Sequence, residues 1–287
     1  MPARLACGPV LAIALGLAAS LSWGVADFLG GLQSRRMPVV AVVLGSQLAG
    51  LVLVAAIVAI RGEPLPGGDF LLYASLSSVG GIIGLTAFYK ALSIGAMGVV
   101  APLSSTAAVI PLVVGLATGD RPSAIQGVGV AVALVGVLLA SREAGEHGGS
   151  VSKGAGFALI SAVGFGCFFL AIDKASDSDV LWAVCVNRTV SVGLLGLALL
   201  ATRPALGLRP ADMRTLAIVG MLDILANGFF ALAATKGLVS VVAVLASLYP
   251  VITVVLARVV LKERLRAVQR VGAALALMGV ALISAGG

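Results

Sequence analysis

"GAMGVVAPLSS", residues 95–105, and "GLVSVVAVLAS", residues 237–247, share Gly, Val-Val-Ala, Leu and Ser in one register, 142 residues apart. Other stretches keep nearly that offset. "SWGVADF" from Ser22 lies over "GFGCFFL" from Gly164, again 142 residues on. After one inserted residue the offset is 143, so Asp120 meets Glu263, Gly129 meets Gly272, and "GVLLAS" from Gly136 lies over "GVALIS" from Gly279. Self-similarity at one long, fixed period is the mark of a repeat architecture. The stretch that resembles a linker, "SREAGEHGGSVSK" at 141–153, falls at the midpoint between the two copies.

Composition decides the solvent in which the repeats pack. Apolar residues make up 60% of the chain, charged residues 11%, and the mean hydropathy is +1.15. Soluble domains carry about 25% charged residues, so most of this chain has no side that faces water. A run of roughly 20 apolar residues spans a bilayer. Breaks at charge, Pro and Gly predict ten such runs, at 9–32, 38–60, 70–90, 97–118, 122–140, 154–172, 180–201, 214–235, 239–260 and 267–285. The first of them, behind Arg4, is longer than a signal-peptide core and reads as a retained span. The expected fold is therefore an all-α polytopic membrane protein of about ten transmembrane helices. Its halves are 1–141 and 153–287, joined by a linker at 142–152. Five spans per half is an odd number, which forces the halves to insert with opposite orientation. Inverted repeats of this kind place a substrate site near the midplane at their interface.

"LYPVITVVLARVVLKERLRAVQRVGAALALMGVALIS", residues 248–284, puts Tyr-Pro in the ninth span, Glu263 at its close and spaced glycines in the tenth. "SWG" at 22–24 is an aromatic-glycine start that Phe165-Gly166 repeats. On these residues the chain resembles the EamA-type transporters of the drug/metabolite transporter superfamily over almost its whole length. "VIPLVVGLATGDRPSAIQGVGV" in the first half follows the same plan, with Asp120 where the acid is usually Glu. The resemblance implies ten spans, inverted halves and movement of small metabolites or drugs, often as export.

Against that background, charges within the spans stand out. A carboxylate in hydrocarbon costs about 2.5–3.5 kcal/mol on insertion scales, yet Asp27 interrupts a run otherwise uncharged from Arg4 to Arg35. Ser20, Trp23 and Asp27 share one helical face, which is tolerable only toward a wet cavity between the halves. Arg188, beside Asn187, lies deep in the seventh span, and Asp223 lies deep in the eighth with Asn227 one turn on. These charges can neutralise one another or a substrate; the other reading is an ion pair of Arg188 with Asp223 or Asp27 that only fixes packing. At the offset of 142, Gln47 matches Thr189 and Ser46 matches Arg188, which suits a shared cavity or interhelical hydrogen bonds alike. Thr86 and Tyr89 stand with Lys90 late in the third span, where Lys90 snorkels to the interface and Tyr89 can line the cavity mouth. Tyr249 precedes Pro250 in the ninth span, and Pro102 and Pro111 lie in the fourth. All three prolines are candidate hinges. The glycine pairs Gly80/Gly84 and Gly115/Gly119 allow close helix contact.

Other functions lack their residues. The single histidine, His147, sits in the linker, so no H-E-x-x-H site exists, and neither a P-loop nor a G-x-S-x-G elbow is present. Cys7, Cys167 and Cys185 show no pairing or metal spacing. The 19 basic residues are scattered over connectors, which speaks for membrane orientation and against nucleic acid. The expectation is a secondary transporter, not an enzyme, acting as monomer or homodimer without cofactor or metal. Its partners are the bilayer and a small solute, moved by alternating access, most plausibly outward. Without ATP, the drive is a gradient or exchange, with Asp27 or Asp223 as the carrier of a coupled proton. The alternatives are a membrane enzyme acting on lipid and a structural subunit. For orientation, the side that carries the termini holds five basic residues and the other side twelve, so the positive-inside rule puts both termini outside the cytoplasm.

Overall fold

The computed structural model describes residues 3–110, 114, 123–140, 148–203, 209–234, 245 and 248–285, and every regular element among them is helical. The first half supplies α1 (Ala3–Gln33), α2 (Val39–Arg61), α3 (Phe70–Ile94), α4 (Met97–Ser104) and α5 (Ala124–Ala140). The second supplies α6 (Gly148–Ser176), α7 (Val180–Thr202), α8 (Pro210–Ala234), α9 (Tyr249–Val260) and α10 (Ala267–Ala285). Six of these ten helices, α1 to α3 and α6 to α8, are long and apolar enough to cross a membrane. The helices at 97–107, 124–136, 249–260 and 267–283 are apolar but shorter.

Local chemistry sets the helix ends. Gly62, at φ 69°, takes the left-handed conformation that closes α2. Ser123 and Gln126 form a reciprocal capping box at the start of α5, with the Ser123 N–H donating to Gln126 Oε1 at 2.9 Å and the Gln126 N–H to Ser123 Oγ at 3.3 Å. Asp179 caps α7 by accepting from the Trp182 N–H at 2.9 Å, and the same carboxylate pairs with Arg61 at 2.7 Å. That pair ties the end of α2 to the start of α7.

The surface is apolar where a soluble bundle would be polar. Val52, Leu138 and Leu200 are 65%, 70% and 71% exposed, which only a hydrocarbon solvent tolerates at this density. The interior is built from small residues instead: Ala19, Ala74, Ala91, Ala133, Ala158, Ala183, Ala226 and Ala276 are fully enclosed. In lipid the hydrophobic effect cannot pull helices together, so close backbone approach and interhelical hydrogen bonds must do so. A Cβ on Gly80 of α3 would lie 2.8 Å from the Phe168 nitrogen and 2.9 Å from the Gly164 carbonyl of α6. Likewise a Cβ on Gly129 of α5 would lie 2.9 Å from the Gly279 carbonyl, and one on Gly136 would lie 2.8 Å from the Gly272 carbonyl of α10.

Several contacts between helices keep their form when the first five helices are exchanged with the last five. The pairing of α3 with α6 has its counterpart in α8 with α1, that of α2 with α8 in α7 with α3, and that of α4 with α6 in α9 with α1. At residue level, the contact of Gly129 with Gly279 exchanges with that of Gly136 with Gly272. The largest apolar core gathers Val42, Val43, Phe88, Leu92, Met97, Val99, Val100, Leu103, Leu216 and Val219. It fills the end of the bundle where α1 turns into α2 and α3 into α4.

Two expected spans differ from the structure. Over 97–118 the α-helix stops at Ser104 and a 3₁₀ turn follows at Ser105–Ala108. The hydroxyls of Ser105 and Thr106 donate to the carbonyls of Pro102 and Leu103 at 2.8 and 2.7 Å, and Pro102 offers no N–H to the ladder. Helix α6 begins at Gly148, inside the expected linker. Pro111, Gly115, Gly119, Asp120 and His147 lie outside the described residues.

Substitution of Gly80 tests the close crossing of α3 and α6. Gly80→Leu should lower the thermal unfolding midpoint in detergent, by an amount corresponding to about 1–3 kcal/mol of overpacking. Gly127→Ala, where a Cβ meets nothing within 4 Å, should not lower it.

Candidate functional site

Arg188 organises the polar interior. It projects from α7 between α2 and α8, where one terminal nitrogen donates to Gln47 Oε1 and the other to Asp223 Oδ2. Its Nε is buried and has no partner among the described residues. A guanidinium forks in a plane, so one side chain can satisfy an amide on α2 and a carboxylate on α8 together. The Arg188 side chain is 12% exposed and that of Asp223 is 32% exposed, so the carboxylate keeps an open side.

That open side faces a small cavity lined by Ala26 and Asp27 of α1, Ser46 and Gln47 of α2, Leu85 and Tyr89 of α3, and Val219, Gly220 and Asp223 of α8. Ala26, Tyr89 and Val219 also belong to the large core, so the cavity stands directly on it. Gly220 lets α8 approach α2 at this level, because a side chain there would overlap the Ser46 carbonyl. Among the described residues no hydrogen bond or ion pair reaches the Asp27 carboxylate. Asp27 is the free acid of the site and Asp223 the paired one.

One turn before Asp27 on α1, Trp23 continues the same face as an aromatic surface. Its ring lies 6.2 Å from that of Phe230 and 6.3 Å from that of Tyr249, edge-on to the latter at 68°. Helix α9 comes this close because Gly24 has no Cβ; one would lie 2.7 Å from the Tyr249 carbonyl. Thr253 Oγ1 donates to the Gly24 carbonyl at 3.1 Å and fixes the crossing.

Of the residues singled out from sequence, Asp27, Gln47, Tyr89 and Asp223 line one cavity, Arg188 braces its wall, and Trp23 and Tyr249 adjoin it. Asn187 turns the other way. Its side-chain amide donates to Ser77 Oγ at 2.8 Å, and its backbone carbonyl accepts from Ser78 Oγ at 2.8 Å, so it joins α7 to α3. A step of one residue rotates a side chain by about 100° around a helix, which separates Asn187 from Arg188. Asn227 donates to the Asp223 carbonyl of its own helix at 2.7 Å. The Thr86 hydroxyl is buried without a partner among the described residues. Pro250 sits in the first turn of α9 rather than within a longer described helix, a position where its missing N–H leaves no bond unmade. Pro102 lies inside α4.

Sequence inspection gave Glu263 no structural role beyond closing a span. Its carboxylate accepts from the N–H groups of Met97 and Gly98, each at 3.2 Å, and pairs with Arg35 at 3.2 Å. The first turn of α4 is thus capped from the second half of the chain, where its positive dipole end suits an anion. Arg35 in turn donates to the carbonyls of Leu92 and Gly95 at 3.3 and 3.4 Å, and Gln33 reaches Asp212 at 3.4 Å. Together these contacts close the cored end of the bundle below the cavity.

The described residues form a helical bundle with six helices of membrane-spanning length and a cavity lined by two carboxyl groups. The model of the EamA-like transporter family matches residues 10–142 and again 152–285, and the chain belongs to that family. No curated protein matches it. A solved crystal structure, described only as that of a protein, superposes with a TM-score of 0.63 at 17% identity, covering 95% of this chain and 96% of the other. At that identity the likeness speaks for the fold alone. The chain is accordingly a multi-pass membrane protein of a transporter family, and a small-molecule substrate follows from that membership.

Removing the α4 cap should loosen the cored end. Glu263→Ala should lose about 1–2 kcal/mol, read as a lower unfolding midpoint in detergent. Arg35→Ala should lose less, since the two backbone N–H groups keep their acceptor.

Proposed function

We propose that this protein is a secondary transporter that exports small polar or amphipathic organic solutes by alternating access, the halves 1–141 and 153–287 rocking about the cavity. The observation that carries this reading is the origin of the cavity groups. Asp27, Gln47 and Tyr89 come from the first half, while Asp223 and its partner Arg188 come from the second. A site assembled from both halves changes its access when the halves move. Inverted repeats are supported by the exchange of Gly129–Gly279 with Gly136–Gly272 contacts across α5 and α10. The interrupted α4, with Pro102 before its 3₁₀ turn, is the natural hinge in the first half, and Pro250 at the start of α9 is that of the second. Energy comes from a gradient or from exchange, with Asp27 as the group that gains and loses a coupled proton.

Comparing the metabolites inside and outside cells with and without the protein identifies the solute. With that solute in hand, Asp27→Asn should abolish or uncouple its movement and leave membrane abundance nearly unchanged. Arg188→Ala should reduce both, because it strips Asp223 and Gln47 of their shared donor. Normal transport per molecule in Asp27→Asn, with lost abundance, would make these charges packing devices only.

Orientation follows from charge. The end bearing Arg35, Arg203, Arg209, Lys262, Arg264 and Arg266 is the basic one and belongs in the cytoplasm, with both termini on the opposite side. A C-terminal reporter that is active only outside the cytoplasm should therefore give signal. Signal from a cytoplasm-dependent fluorescent fusion at Gly287 alone would invert the assignment.

A further inference from the structure

The charge balance of the cavity specifies the head group of its solute. Two carboxylates, Asp27 and Asp223, line it. Arg188, the cation that braces this wall, is committed to Asp223 and Gln47. Asp27 has no partner among the described residues, which leaves its carboxyl group uncompensated beside a cavity inside the membrane. Tyr89 is only 2% exposed, lines the same cavity, and its phenol makes no hydrogen bond among the described residues. An unpartnered carboxyl group and phenol, with no spare cation among the described residues, ask for a ligand that brings donors and positive charge. Trp23, one turn along α1, adds an aromatic face with Tyr249 and Phe230 against it. Such a face suits a flat apolar body and attracts a neighbouring cation through the ring quadrupole. An acidic solute would meet two carboxylates, and the charge of Arg188 is already matched by Asp223.

The cavity is about 20 Å³, and so has room for little more than one water as it stands. We propose that it widens as the halves part and then binds a solute with one protonated amine on an apolar or aromatic body, with Asp27 as its counter-ion and the adjoining Trp23–Tyr249 surface against its body. This rests on the transporter reading and narrows it to amine-bearing solutes.

Binding of 2-phenylethylamine, 2-phenylethanol and 3-phenylpropionate to the purified full-length protein tests it, since the three share a ring and differ in head group. Calorimetry should find the amine bound at least about thirtyfold more tightly than the other two, the size expected for a buried charge pair. Asp27→Asn, nearly equal in shape, should lose that factor for the amine and change the alcohol little, while Asp27→Glu should recover part of it. A matching unfolding midpoint for each variant shows that the site, not the fold, has changed. Tightest binding of the carboxylate, amine affinity unchanged in Asp27→Asn, or no binding of the amine would each overturn the proposal. Counterflow of the amine in proteoliposomes separates the two readings. Amine bound through Asp27 but never moved would uphold this site and overturn transport. A neutral or acidic solute moved without Asp27 would uphold transport and overturn this site.

Discussion

The guanidinium of Arg188 lies where hydrocarbon surrounds the protein on every side, and the rest of the interior is arranged around its compensation. Its donors hold Gln47 on α2 and Asp223 on α8, so one side chain sets how three helices meet. A buried pair of this kind is weak evidence for stability, because desolvation offsets much of the attraction. Its value lies in register: slide α7 by a turn and both partners are left as uncompensated polar groups in lipid. The same pair fixes the cavity electrostatically. By pairing with Asp223 it leaves Asp27, on the neighbouring α1, as the acid of that wall without a partner among the described residues.

Around this centre the helices are held by close backbone approach as well as by the apolar side chains of the core. The crossings of α3 with α6 and of α5 with α10 depend on glycines whose missing Cβ atoms make room for a carbonyl or an amide nitrogen of the neighbour. The cored end is closed by polar contacts from both halves, above all the Glu263 carboxylate on the first N–H groups of α4. Tight packing below the cavity, with polar contacts that can separate as units, suits a bundle whose halves move against each other.

The embedded charges were legible in the sequence because they interrupt apolar runs, and hydropathy registers each of them. Their pairing was legible only as alternatives, Arg188 with Asp223 or with Asp27, of which the structure makes the first. Depth along a span says nothing of azimuth, so Asn187 and Arg188 looked equivalent although one faces α3 and the other the cavity wall. The repeat was legible through its offset, and Gly129, Gly136, Gly272 and Gly279, which defined that offset, meet one another across α5 and α10. The break at Ser104 was hidden, since local hydroxyl bonds to carbonyls leave no trace in hydropathy. Glu263 was visible as an acid at a span end, but its partners are backbone N–H groups more than 160 residues away, beyond the reach of any local pattern.

Whether Asp27 faces water inside the membrane is the point on which everything else turns. With Cys7, Cys167 and Cys185 replaced by Ala, single cysteines at Asp27→Cys and Val52→Cys can be exposed in membranes to a small water-soluble methanethiosulfonate. Position 27 lines the cavity and position 52 is 65% exposed on the outer face of α2. Reaction at position 27 with none at position 52 is the predicted result, because the reagent needs water to reach and ionise the thiol. An inert position 27 beside a reactive position 52 would contradict a wet cavity between the halves.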